Sequence, residues 1–203
     1  TSVAFIFASA MTSMQLLYKN LPYKPSDFQP ITTLSKIHFV LAVPKSSPYN
    51  TLAEYVSGMK QNNKPALVGV SGVGGAPHLL MEELGSKGSF NVQPVVYRGE
   101  APAVQELVAG QLQSFCGAYA SLSEFAKTSS VKVLAISADQ RVADAPDLPT
   151  FKEQGFPSVL VDFWFEASPY CREMDAVVAH LSVNYRDRVK VGKIDVGTYH
   201  ATP

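Results

Sequence analysis

The 203-residue chain has no excess of charge of either sign: Lys+Arg and Asp+Glu each total 17, a formal net charge of zero. No run of like charge stands out, so the basic face that a nucleic-acid binder needs to displace counterions is missing, and no nucleic-acid partner is expected. Cysteine is scarce, at two residues, Cys116 and Cys171; they allow one disulfide without predicting it. Four scattered histidines give no zinc-ligand spacing, so no metal and no cofactor is expected. The longest apolar run, "VAFIFASAM" (3–11), is far short of the roughly twenty residues that cross a bilayer. It also lacks a basic leading segment, so it does not read as a signal peptide, and a start at Thr1 suggests a processed, trimmed or incomplete chain.

What is present is globular. Hydrophobic residues make up 46% and charged residues 17%, enough to build a core in one large domain or two small lobes. Short β-rich runs alternate with helical patterns. "VAFIFAS" (3–9) reads as a buried strand and "MTSMQLLYK" as a short helix, followed by the turn-rich "LPYKPSDFQP". Strands are expected near 30–35, 38–43, 66–70, 92–97 and 131–137, and a helix capped by Asn50 or Thr51 follows the second of these. Further helices begin near Ala76 and Glu100. "LQSFCGAYASLSEFA" gives a short strand and helix, and "DQRVADAPDLPTFKEQGFP" a loop with one short helix. "SVLVDFWF", "CREMDAVVAHLSVNY" and "RVKVGKIDV" read as strand, helix, strand. This alternation implies an α/β fold with parallel sheets.

The sharpest local chemistry is "GVSGVGGAPHLLMEEL". A strand ends at Ser71, glycines 72, 74 and 75 let the backbone approach a ligand, and a helix opens with Pro77 in its first turn. Helix N-terminal N–H groups and the helix dipole attract an anion. Ser71 could add a hydroxyl and His78 a ring nitrogen. The same loop also reads as a tight strand-to-helix turn whose glycines serve packing, with His78 a satisfied helix residue. It is neither a dinucleotide fingerprint nor a phosphate loop, because the third glycine and the Lys-Ser/Thr pair are missing. A second junction carries Tyr97, Arg98 and Gly99; Arg98 could pair with a carboxylate, with Glu100 or with solvent.

"LPYKPSDFQPITTLSKIHFVLAVPKSSPYNTLAEYVSGMK", "GVSGVGGAPHLLMEEL", "VVYRGEAPAVQELVAGQLQSFC" and "RVADAPDLPTFKEQGFP" resemble, in order over about 3–157, the solute receptors of tripartite tricarboxylate transporters, the Bug family. The resemblance implies a two-lobed, periplasmic-binding-protein-like fold of the type II, Venus-flytrap kind. It also implies a periplasmic location, a small carboxylate solute as ligand, a membrane transporter as partner and no catalysis. Carried over by position, "FASAMTS" implicates Ser9, Ala10 and Thr12 in the first lobe. "SGVGGAPH" implicates Ser71, Gly74, Gly75 and His78 in the second, and "VYRGEAPA" adds Tyr97 and Gly99. The family's leading strand-helix-strand unit is not recognisable, so the first lobe is expected to be incomplete or rearranged. Residues 1–44 would form part of it and 45–157 the second lobe.

Residues 158–196 resemble a fragment of thioredoxin. "SVLVDFWFEASPYCREM" carries Asp162, Trp164 and Cys171 at that fold's positions, with Ser168 where its first active-site cysteine stands. A serine hydroxyl is too weak an acid to attack a disulfide, so redox exchange is not expected. As a strand-helix-strand unit, 158–203 could instead complete the first lobe, in cis or between chains, placing Ser168 in the cleft. Two rival readings are a thioredoxin-like redox module and a structural protein of recombined fragments, a homodimer covering its exposed sheet edges.

Overall fold

The computed structural model describes residues 6, 8–11, 13–29 and 36–156. The expected strands and helix beyond residue 157, the expected strand at 30–35, and the site candidates Thr12 and Ser168 lie outside them. The described residues fall into two units, 6–29 and 36–156.

The smaller unit corrects the reading of 3–9 as a buried strand. Ile6 is exposed and Ala8–Met11 forms a short helix, α1, followed by α2 at Ser13–Leu17. An apolar run this short carries no period that separates strand from helix. Here local bonds favour the helical turn: Ser13 Oγ donates to Ser9 O, and the Tyr23 hydroxyl donates to Ala10 O at 3.0 Å.

The larger unit is a five-stranded sheet with helices on both faces. Its elements are β1 (Phe39–Pro44), α3 (Leu52–Gln61), β2 (Ala66–Val70), α4 (Ala76–Gly88), β3 (Val92–Val96), α5 (Glu100–Val108), β4 (Ser114–Ala118), α6 (Ser123–Lys127) and β5 (Val131–Ile136). The strand order is β3-β2-β4-β1-β5. β2 runs parallel to β3 and β4, with Ala66 opposite Val92 and Gly69 opposite Phe115. The expectation of parallel sheets is corrected at β1, which is antiparallel to both β4 and β5. Nothing local records this, because β1 meets partners more than seventy residues further along the chain.

The burial pattern explains the layers. Leu52, Tyr55 and Met59 of α3 and Leu80, Met81 and Leu84 of α4 pack on one sheet face with Leu41, Val68, Val70 and Cys116. Ala103, Val104 and Leu107 of α5 pack on the other with Val40, Ala42, Phe115 and Ile136. Alternate residues of β1 thus enter opposite cores, as a strand buried on both faces requires. Thr51 and Glu54 close a capping box at the start of α3. Buried Tyr55 hydrogen-bonds Ser114 Oγ at 3.0 Å, and that hydroxyl donates to Leu67 O, tying α3 to β2 and β4.

After β5 the chain makes turns, and no helix forms between 138 and 156. Thr150 and Glu153 exchange the bonds of a capping box, a helix-start signal that no helix follows. Gly155, at φ 88°, ends the turn immediately.

Candidate functional site

The sheet topology selects one edge. β2, β3 and β4 are parallel, so the loops 71–75, 97–99 and 119–121 all leave from their carboxyl ends. From β2 the chain crosses through α4 to β3 on one side; from β4 it crosses through α6 towards β5 on the other. Adjacent parallel strands whose connections diverge make a topological switch point, where open α/β sheets take ligands. β1 begins at the same edge: Tyr119 N–H donates to His38 O at 2.9 Å, and His38 Nδ1 donates to Ser137 O at 3.0 Å.

Loop 71–75 is shaped by what lies beneath it. Gly74 adopts φ 79°, a conformation that favours glycine. Its N–H donates to His78 Nδ1 at 3.0 Å, and His78 Nε2 lies 3.3 Å from Glu82 Oε1 one helical turn on. His78 and Glu82 are both buried. An Nδ1 that accepts fixes the ring proton on Nε2, facing the carboxylate. The imidazole therefore holds the loop from inside, and the Gly74 N–H points at His78 rather than at a ligand. On the other side the loop is open: Ser71 is exposed, and a Cβ at Gly72 would meet nothing within 4 Å. Gly75 is the N-cap of α4, without a side-chain bond, and Pro77 sits in the first turn.

The second junction divides in the same way. The Tyr97 hydroxyl donates to Glu106 Oε2 at 2.5 Å, two turns into α5, and its N–H donates to Val70 O at 3.0 Å. Burial first, then the bond to Glu106, pushes the phenol up to about 12. Gly99, at φ 95° and ψ 174°, caps α5, with open space where a Cβ would stand. Arg98 is exposed, and Glu100 pairs elsewhere: Oε1 accepts from Ala118 N–H at 3.0 Å and Oε2 from the Ser121 hydroxyl.

Of the sequence candidates, Ser71, Gly74, Gly75, His78, Tyr97 and Gly99 thus lie at or just beneath one sheet edge. Ser9 and Ala10 are half-buried residues of α1 in the other unit. Gly72 and the start of the helix at Ala76, read in the sequence as part of the same loop, lie at this edge too; sequence reading missed Glu100. The signal for Glu100 was its place directly after a glycine at a strand-to-helix junction. Among the described residues no group of His, Cys, Asp and Glu could hold a metal ion, and no helix is long and apolar enough to cross a membrane. Cys116 is buried and unpaired, and burial raises its thiol above the usual range.

The family model described as "tripartite tricarboxylate transporter family receptor" matches residues 2–194. The chain belongs to that receptor family. The match runs past 157 through most of the segment that resembles thioredoxin. Among curated relatives of the receptor, the Cupriavidus necator protein in the gbd 5' region is 30% identical over 64% of the chain and 39% of its own length. BugT of Bordetella pertussis is 23% identical over 73% of the chain and 46% of its own. MatC of Rhodopseudomonas palustris, solved with bound malate, is 27% identical with a TM-score of 0.67, over 73% of the chain and 51% of its own. The periplasmic binding protein BugD has a TM-score of 0.70 at 25% identity, over 90% of the chain and 64% of its own. The fold is therefore that of the periplasmic binding proteins, on a mixed α/β sheet. The chain spans about half the length of the curated relatives it matches.

Proposed function

We propose that the larger unit is the second lobe of a solute receptor that binds a small carboxylate at the carboxyl edge of its sheet, without catalysis. The carboxylate sits over Gly72 and the start of α4, taking N–H groups of the loop and first helical turn, with Ser71 and Gly99 flanking it. The supporting observation is the open space above Gly72 at a topological switch point, where a helix begins. The malate seen in MatC supports the ligand class. His78 and Tyr97 shape the loops, and their polar atoms bond to the protein. Ser9, Ala10 and Thr12 stay ligand candidates of the first lobe through the family resemblance of their loop. The family match through 194 supports counting the segment with Ser168 in the receptor too. A periplasmic location and delivery to a membrane transporter go with this reading.

The test is a thermal-shift panel of small carboxylates on the whole chain and on Gly72→Ala. One acid at a hundred times its dissociation constant should stabilise the wild type by about 2.7 kcal/mol, and the variant should lose that response while keeping its own stability. A flat panel refutes carboxylate binding. Self-association through the β3 edge would show as a mass that rises with concentration.

A further inference from the structure

Glu100 is the first residue of α5, which follows β3, yet both its carboxylate oxygens are engaged at the exit of β4. β3 and β4 flank β2, so a side chain that leaves from the β3 junction is held at the exit of the strand on the other side of β2. The contact is close: a Cβ on Gly117 would lie 2.8 Å from Glu100 Oε1. A main-chain N–H and a hydroxyl together at the exit of a parallel strand are the donors an incoming anion would use. Here a carboxylate of the protein already occupies them.

Two consequences follow for the ligand. Its carboxylate is confined to the β2 loop, because the donors after β4 are taken. At the exit of the next strand in the sheet, β4, stands a carboxylate whose oxygens each keep room for a further hydrogen bond. We propose that Glu100 determines specificity in the carboxylate site, an inference that rests on the reading given above. Glu100 selects an acid whose neighbouring group on the β4 side is a hydrogen-bond donor, a hydroxyl or ammonium, and rejects one that carries a second carboxylate there.

The experiment is calorimetric titration of propionate, lactate and malonate into the wild type, Glu100→Gln and Glu100→Asp. In the wild type lactate should bind more tightly than propionate, and malonate most weakly, since like charges at neighbouring strand exits cost about tenfold or more. Glu100→Gln, nearly the same shape, should raise malonate about tenfold relative to propionate. Glu100→Asp keeps the charge and should keep the wild-type order. A Glu100→Gln protein whose three affinities move in parallel would overturn the proposal and leave Glu100 a strut between loops. If none of the acids binds either the wild type or Glu100→Gln, the carboxylate site itself falls, and the selectivity with it.

Discussion

Gly99→Ala isolates backbone conformation from packing. At φ 95° and ψ 174° the residue occupies a region almost reserved for glycine, while the space a methyl group would enter is empty. The substitution therefore adds no clash, and its whole effect is the strain of holding an L-residue there, on the order of 1–3 kcal/mol. For a chain of this size each kcal/mol moves the melting temperature by about 2–4 °C. A fall of roughly 2–12 °C is expected, read by thermal denaturation followed by circular dichroism. Gly72→Ala is the control. It too has open space and its φ is not positive, so its stability should stay within about 0.5 kcal/mol of wild type. A Gly99→Ala protein that melts with the wild type would refute the claim that the 97–99 loop is held in this conformation.

Tyr55→Phe removes the hydroxyl that bonds to Ser114 between α3 and the sheet, and should cost about 1 kcal/mol in urea denaturation. His78→Ala withdraws the acceptor of the Gly74 N–H and the partner of Glu82. A loss of about 2–4 kcal/mol is expected, with partial recovery in His78→Asn, whose amide oxygen can accept. Tyr97, with its phenol raised to about 12 in the fold and near 10 when unfolded, binds its proton more tightly when folded. Its stabilising share is complete below pH 10 and is lost as pH rises towards 12. The stability difference between wild type and Tyr97→Phe, followed by denaturation across pH 9–12, should shrink over that window.

Local signals carried much of the fold into the sequence. The Thr51–Glu54 capping box, the alternation of short β-rich runs with helices, and the glycines between β2 and α4 each act within a few residues. The elements they mark lie where those patterns fall. Long-range pairing was not legible. The antiparallel course of β1 depends on strands far along the chain, and the bond of Glu100 to Ser121 spans a whole strand and helix with no intervening pattern. The site was half legible: the loops could be read from their glycines, but whether a polar side chain faces in or out could not. The spacing Gly74, His78, Glu82 was the available clue, a loop glycine and two residues one turn apart on α4, and it marks an internal brace.

The central claim is that a carboxylate lies over the loop after β2, and amide chemical shifts test it most directly. The acid that stabilises the protein most would be titrated into 15N-labelled chain. Saturable shifts centred on Gly72, Gly75, Ala76 and Gly99 are expected. Saturable shifts confined to another part of the larger unit, with these amides unmoved, would contradict it.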